Sequence, residues 1–70
     1  MAKKIIVNGK SVEWAEVAIN ARQLAEIAKQ HEPSITYRNG PGGSKGILGP
    51  EYAITVHEGM VFNVVNTGGA

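Results

Sequence analysis

No cysteine occurs among the 70 residues. Disulfides and cysteine-based zinc sites are thereby excluded as supports for a small core, and the composition suits a reducing compartment. Charge of one sign is equally scarce. A net charge of +1 gives no electrostatic case for nucleic acid or an anionic membrane, and the Lys3-Lys4 pair is too short to change that. Trp14, Tyr37 and Tyr52 are too scattered to form a stacking platform for nucleic-acid bases. No apolar run approaches the roughly 20 residues of a membrane span, and the N-terminus lacks the apolar stretch of a signal peptide. The expectation is a soluble cytoplasmic protein with neither nucleic acid nor membrane as partner. Catalytic groups are also few. His31 and His57 are the only histidines. One falls at a helix end and the other near a strand end, with no paired carboxylates at metal spacing. Both read as surface or rim residues. Ser11, Ser34 and Ser44 lie in no nucleophile motif. The chain reads as a non-enzyme with no metal and no cofactor.

What is present is a pattern for one small domain. A chain of this size buries roughly 60% of its unfolded surface and is marginal unless its core is efficient. The 43% hydrophobic content is enough for one. Lys3 to Val7 is rich in β-branched residues and reads as a strand. Asn8-Gly9 is the strongest short signal for a two-residue hairpin turn. With that turn, Ile5 faces Val12 and Lys3 faces Trp14, so Ile5, Val7, Val12 and Trp14 share a core face. Lys4, Glu13, Ile6 and Ser11 fall on the outer face.

Asn20 with Gln23 predicts a capping box, and Ala21, Leu24, Ala25, Ile27 and Ala28 form an apolar helical stripe. Pro33 is expected to stop this helix at or before His31-Glu32. Ile35 to Arg38 alternates as a short third strand. Asn39 to Gly46 holds four glycines and one proline and reads as an irregular loop, with Ile47-Leu48 as an apolar plug after it. Tyr52 to His57 is expected as the fourth strand, with Tyr52, Ile54 and Val56 on one side. Glu58-Gly59 reads as a tight turn and Met60 to Val65 as the fifth strand.

The order β-β-α-β-β-β predicts an α+β β-grasp: a mixed sheet of four to five strands, one helix packed on one face, and the last strand returning beside the first. The expected domain spans residues 1–65, with 66–70 a flexible tail.

The glycine loop lacks the spacing and the Gly-Lys-Ser/Thr order of a P-loop, and no helix pattern follows it. It reads as a surface connection. The tail is more informative. Val65 is followed by Asn66-Thr67-Gly68-Gly69-Ala70. Glycine lacks a Cβ and can thread a narrow active site. Removal of Ala70 would leave an unhindered Gly69 carboxylate for activation. From Val65, residues 66–69 reach about 13 Å at most, enough to enter a partner's active site while the body docks outside. Ile6, Thr55, Val61 and Asn63 are the candidates for that docking surface.

Particular stretches resemble a known family. Ile6 to Lys10, Ile35 to Pro41, Gly46 to Pro50 and, above all, Glu58-Gly59-Met60-Val61-Phe62-Asn63-Val64 are similar to the bacterial multiubiquitin-type domain family, over nearly the whole chain. The resemblance implies a modifier encoded beside an activating enzyme, a conjugating enzyme and a deubiquitinase-like metal-dependent peptidase. By that resemblance Ala70 is trimmed, and Gly69, preceded by Gly68, is adenylated, passed through cysteine thioesters and joined to an amine of a target protein. It also implies a bacterial setting with antiphage defence among its roles, to which no residue here speaks. Two departures stand out: one domain where many members have tandem domains, and no basic residues before the diglycine. The alternatives are a sulfur carrier with a C-terminal thiocarboxylate, against which Ala70 argues, and a non-conjugated β-grasp interaction module.

Overall fold

A computed structural model describes residues 2–31 and 33–65. Strands β1 (Lys3–Val7) and β2 (Lys10–Trp14) form the hairpin in the expected register, with Lys3 opposite Trp14, Ile5 opposite Val12 and Val7 opposite Lys10. Asn8 and Gly9 take φ of 52° and 84°. Two successive positive φ values match the twist of the flanking strands, which is why Asn-Gly is favoured there.

A short strand β3 (Ala18–Asn20) leads into helix α1 (Ala21–Ala28). The Asn20 side chain accepts from the Gln23 backbone N–H at 2.8 Å, and the Gln23 side chain accepts from the Asn20 N–H at 2.9 Å. This is the expected capping box. The helix ends earlier than Pro33 requires. Lys29 adopts a left-handed φ of 56°, and Gln30 N–H donates to the Ala25 carbonyl at 3.0 Å, closing the helix in a Schellman-like turn.

β4 (Ser34–Arg38) is followed by a 3-10 turn at Pro41–Gly43, then β5 (Gly46–Leu48), β6 (Ala53–Thr55) and β7 (Val61–Val65). The main sheet has five strands in the order β2-β1-β7-β4-β5. β7 runs parallel to β1 and antiparallel to β4. One helix and a mixed sheet with the last strand beside the first make the β-grasp that the sequence predicts.

Two assignments are corrected. The fourth strand of the main sheet is β5, not the segment 52–57. That segment contributes only β6, which pairs with β3 in a separate two-stranded sheet, Ile19 opposite Ile54. Tyr52 lies ahead of β6, in a turn where its N–H donates to the Gly49 carbonyl at 3.1 Å, and is 70% exposed instead of sharing the core side with Val56. The pair Ile47-Leu48 is strand rather than plug. Neighbours in a strand point to opposite faces, so Leu48 is buried while Ile47 is exposed.

The core lies between the helix and the inner face of the sheet. Leu24 from the helix joins Ile5, Phe62, Ile35 and Val64 from the strands, all 2% exposed or less. Ile19, outside every predicted element, and Met60, at the start of the predicted fifth strand, are also fully buried. Ile27, Ala28, Val12 and Trp14 pack against this cluster while only partly buried. Among the described residues no helix is long and apolar enough to cross a membrane.

Candidate functional site

Two regions carry what the sequence marks as functional: the outer face of the sheet and the end of the last strand. Register builds the face. Directly paired residues project to the same side, and burial fixes which side is inner. Ile35 opposite Val64 and Tyr37 opposite Phe62 point inward. The residues between them therefore point outward: Thr36 opposite Asn63, Arg38 opposite Val61, Thr36 opposite Ile47 and Ile6 opposite Val61.

These outward residues enclose an open, mostly apolar depression of about 430 Å³, lined by Thr36, Arg38, Lys45, Ile47, Val61 and Asn63 together with Tyr37 and Gly46. Ile47 is 79% exposed. Ile47 and Val61 supply apolar side chains to the depression, and Arg38 and Lys45 supply cationic ones. Of the predicted surface residues, Val61 and Asn63 line the depression, and Ile6 lies on the same face opposite Val61. Thr55 does not. It sits on β6 opposite Ala18, in the other sheet. Thr36, Arg38, Lys45 and Ile47 are additions. The alternation of Ile35 to Arg38 already set Thr36 and Arg38 on one side of a strand, whereas β5 is too short for its alternation to stand out.

The last strand is central in the sheet and is secured near both ends. Near its start, the His57–Met60 turn closes with Met60 N–H donating to the His57 carbonyl at 2.9 Å. Gly59 occupies the third position at φ 81°, as a type II turn requires. The Asn39 side-chain amide donates to the Gly59 carbonyl at 3.1 Å, and Gly59 N–H donates to the Lys4 carbonyl at 2.7 Å. Near its end, Asn8 N–H donates to the Phe62 carbonyl at 3.0 Å. The Asn8 side chain then accepts from Val64 N–H at 2.7 Å and donates to the Val64 carbonyl at 3.0 Å.

The glycine loop closes on itself. Gly43 N–H donates to the Gly40 carbonyl at 2.8 Å and Gly40 N–H to the Ser44 carbonyl at 2.9 Å, so it behaves as the surface connection expected of it. His31 and His57 are both exposed. Among the described residues no group of three or more histidine, cysteine or acidic side chains could hold a metal ion. Gly68, Gly69 and Ala70, and the expected boundary at residue 66, lie outside the described residues.

The sequence matches the family model described as Multiubiquitin over residues 3–68. No curated protein and no solved structure matches the chain.

Proposed function

The chain belongs to the Multiubiquitin family, and from that membership we propose that it is a bacterial ubiquitin-like protein modifier acting in the cytoplasm. A processing peptidase of the deubiquitinase-like class removes Ala70. An activating enzyme adenylates the Gly69 carboxylate, and transfer through cysteine thioesters to a conjugating enzyme ends in an amide bond to an amine of a target protein. Gly68 and Gly69 serve this chemistry because two residues without Cβ leave the carboxyl carbon open to attack. The outer face around Ile6, Val61, Asn63 and Ile47 is where the body docks on these enzymes. Thr55, on the other sheet, is outside that surface.

The observation that supports the reading best is the family match extending through β7 as far as Gly68, with the diglycine beginning three residues after the last residue of a strand at the centre of the sheet. The test is mass spectrometry on the chain expressed with its native gene neighbours. Loss of Ala70 and a Gly69 remnant on an amine of a second protein are expected. A bare Gly69 terminus carrying sulfur in place of one oxygen would point instead to a sulfur carrier. An unaltered chain beside active partner enzymes would leave a non-conjugated interaction module.

A further inference from the structure

We propose that Asn8 is a positioning residue for transfer through Gly69, because its side chain fastens the end of the last strand on its β1 side. This rests on the conjugation reading above. In the β1–β7 ladder, Ile6 N–H donates to the Met60 carbonyl at 2.8 Å, and Asn8 N–H donates to the Phe62 carbonyl at 3.0 Å. In a parallel ladder the next bond runs from Val64 N–H to the Asn8 main-chain carbonyl. The hairpin turn carries the main chain away at Asn8-Gly9. The side-chain amide stands in for the missing peptide group, accepting from Val64 N–H at 2.7 Å and donating to the Val64 carbonyl at 3.0 Å. The ladder thus continues for one residue pair beyond the turn.

The substitution is specific to asparagine. The position needs a left-handed φ, 52° here, which glycine, asparagine and aspartate tolerate best. It also needs both a donor and an acceptor on a short side chain. Glycine offers neither, and ionised aspartate offers only acceptors. Asn8 alone meets both demands, so one residue shapes the first turn and holds the last strand. Val64 is five residues before Gly69. Without the clasp, the end of β7 is held by β4 alone, through Ile35 opposite Val64 and Ser34 opposite Val65, and the strand that carries the reactive glycine is less firmly set against the body. The carboxylate is then in place less often, although the docking face is intact.

Two variants of the full chain separate this role from general stability. Asn8→Gly keeps the turn and removes both bonds. Asn8→Asp keeps the turn and the acceptor but sets a carboxylate oxygen against the Val64 carbonyl. In Asn8→Gly, hydrogen exchange at the Val64 amide should rise about tenfold while the chain still melts cooperatively, at a midpoint lower by several degrees. In Asn8→Asp, the Val64 amide resonance should return toward its wild-type position as pH falls toward about 4, because the protonated acid again donates. The folded state then favours the protonated form, so that stabilisation is present at low pH and lost as pH rises through the folded-state titration. With the processing peptidase to remove Ala70 and the activating enzyme with ATP, both enzymes from the native gene neighbourhood, kcat for adenylation of Gly69 should fall in both variants at neutral pH while KM holds.

Unchanged Val64 exchange in Asn8→Gly would overturn the clasp. Faster exchange with wild-type kcat would overturn the positioning role and leave conjugation standing. A wild-type chain that forms no product, with the exchange and titration as expected, would remove the conjugation reading and the positioning role with it.

Discussion

Gly49 and Gly59 meet an added methyl group in different ways. At Gly49 a Cβ would fall 2.7 Å from Cδ2 of the Tyr52 ring, a severe overlap on paper. Tyr52 is 70% exposed, however, and its ring can swing into solvent. At Gly59 the nearest atom is Asn39 Nδ2 at 3.3 Å, so there is nearly enough room. The obstacle there is the backbone, because φ is 81° and L-residues resist left-handed angles by roughly 1–2 kcal/mol. Gly59→Ala should therefore destabilise the protein by about that amount, and Gly49→Ala by less than about 0.5 kcal/mol. Urea unfolding of both variants measures the difference. The reverse order would mean that packing around Tyr52, not backbone angle, dominates. The same reasoning explains why Glu58-Gly59 was readable as a turn: a positive φ leaves a signature in residue choice.

Helix α1 has only eight residues, too few to persist in water without tertiary support. Its contribution comes from Leu24, fully buried under the sheet, and from the reciprocal Asn20 and Gln23 bonds at its start. Asn20→Ala should cost about 0.5–2 kcal/mol and lower the melting midpoint without altering the denaturant slope. A changed slope would show that the cap also shapes the unfolded ensemble. Helix, first hairpin and last strand were legible because each carries a local code: a cap, an Asn-Gly turn, a run of alternating apolar residues. β3, β5 and β6 have three residues each, which allows one or two alternations and no more. What decides them is partnership. Ile19 is buried because it lies opposite Ile54, and no local pattern encodes that pairing. The proposed docking face was half legible for the same reason. Ile6, Val61 and Asn63 follow from strands visible in the sequence. Thr36, Arg38 and Ile47 join them only once β4 is known to lie between β7 and β5, and Thr55 leaves once β6 pairs with β3. Ile47→Ser makes the functional side of this testable. At 79% exposure its loss should shift stability by no more than about 0.5 kcal/mol. If the face docks the activating enzyme, binding should weaken by about 1 kcal/mol or more, roughly fivefold, in a direct titration. Unaltered affinity would move the docking surface elsewhere.

For the molecule as a whole, the proposed function requires that holding the body together and reacting at the end be separable. The body is stabilised by a core in which Leu24, Ile5, Phe62 and Ile19 are fully buried. The chemistry is assigned to Gly69, four residues past the end of β7. Leu24→Asp places a charge in that core, where an unpaired ion is very costly, and should abolish cooperative melting and conjugation together. Gly69→Ala adds a single methyl group beside the reacting carboxyl and should cripple conjugation while the melting curve overlays the wild type. Each result checks the other. If Leu24→Asp still melts cooperatively near the wild-type midpoint, the helix is not a structural element of the core. If Gly69→Ala lowers the melting midpoint, the last residues belong to the fold, and loss of conjugation in that variant ceases to mark a reactive end. If Gly69→Ala conjugates as well as wild type, the carboxyl group in use is not that of Gly69. Only loss of transfer with an unmoved melt agrees with a modifier whose body presents a glycine terminus to other enzymes.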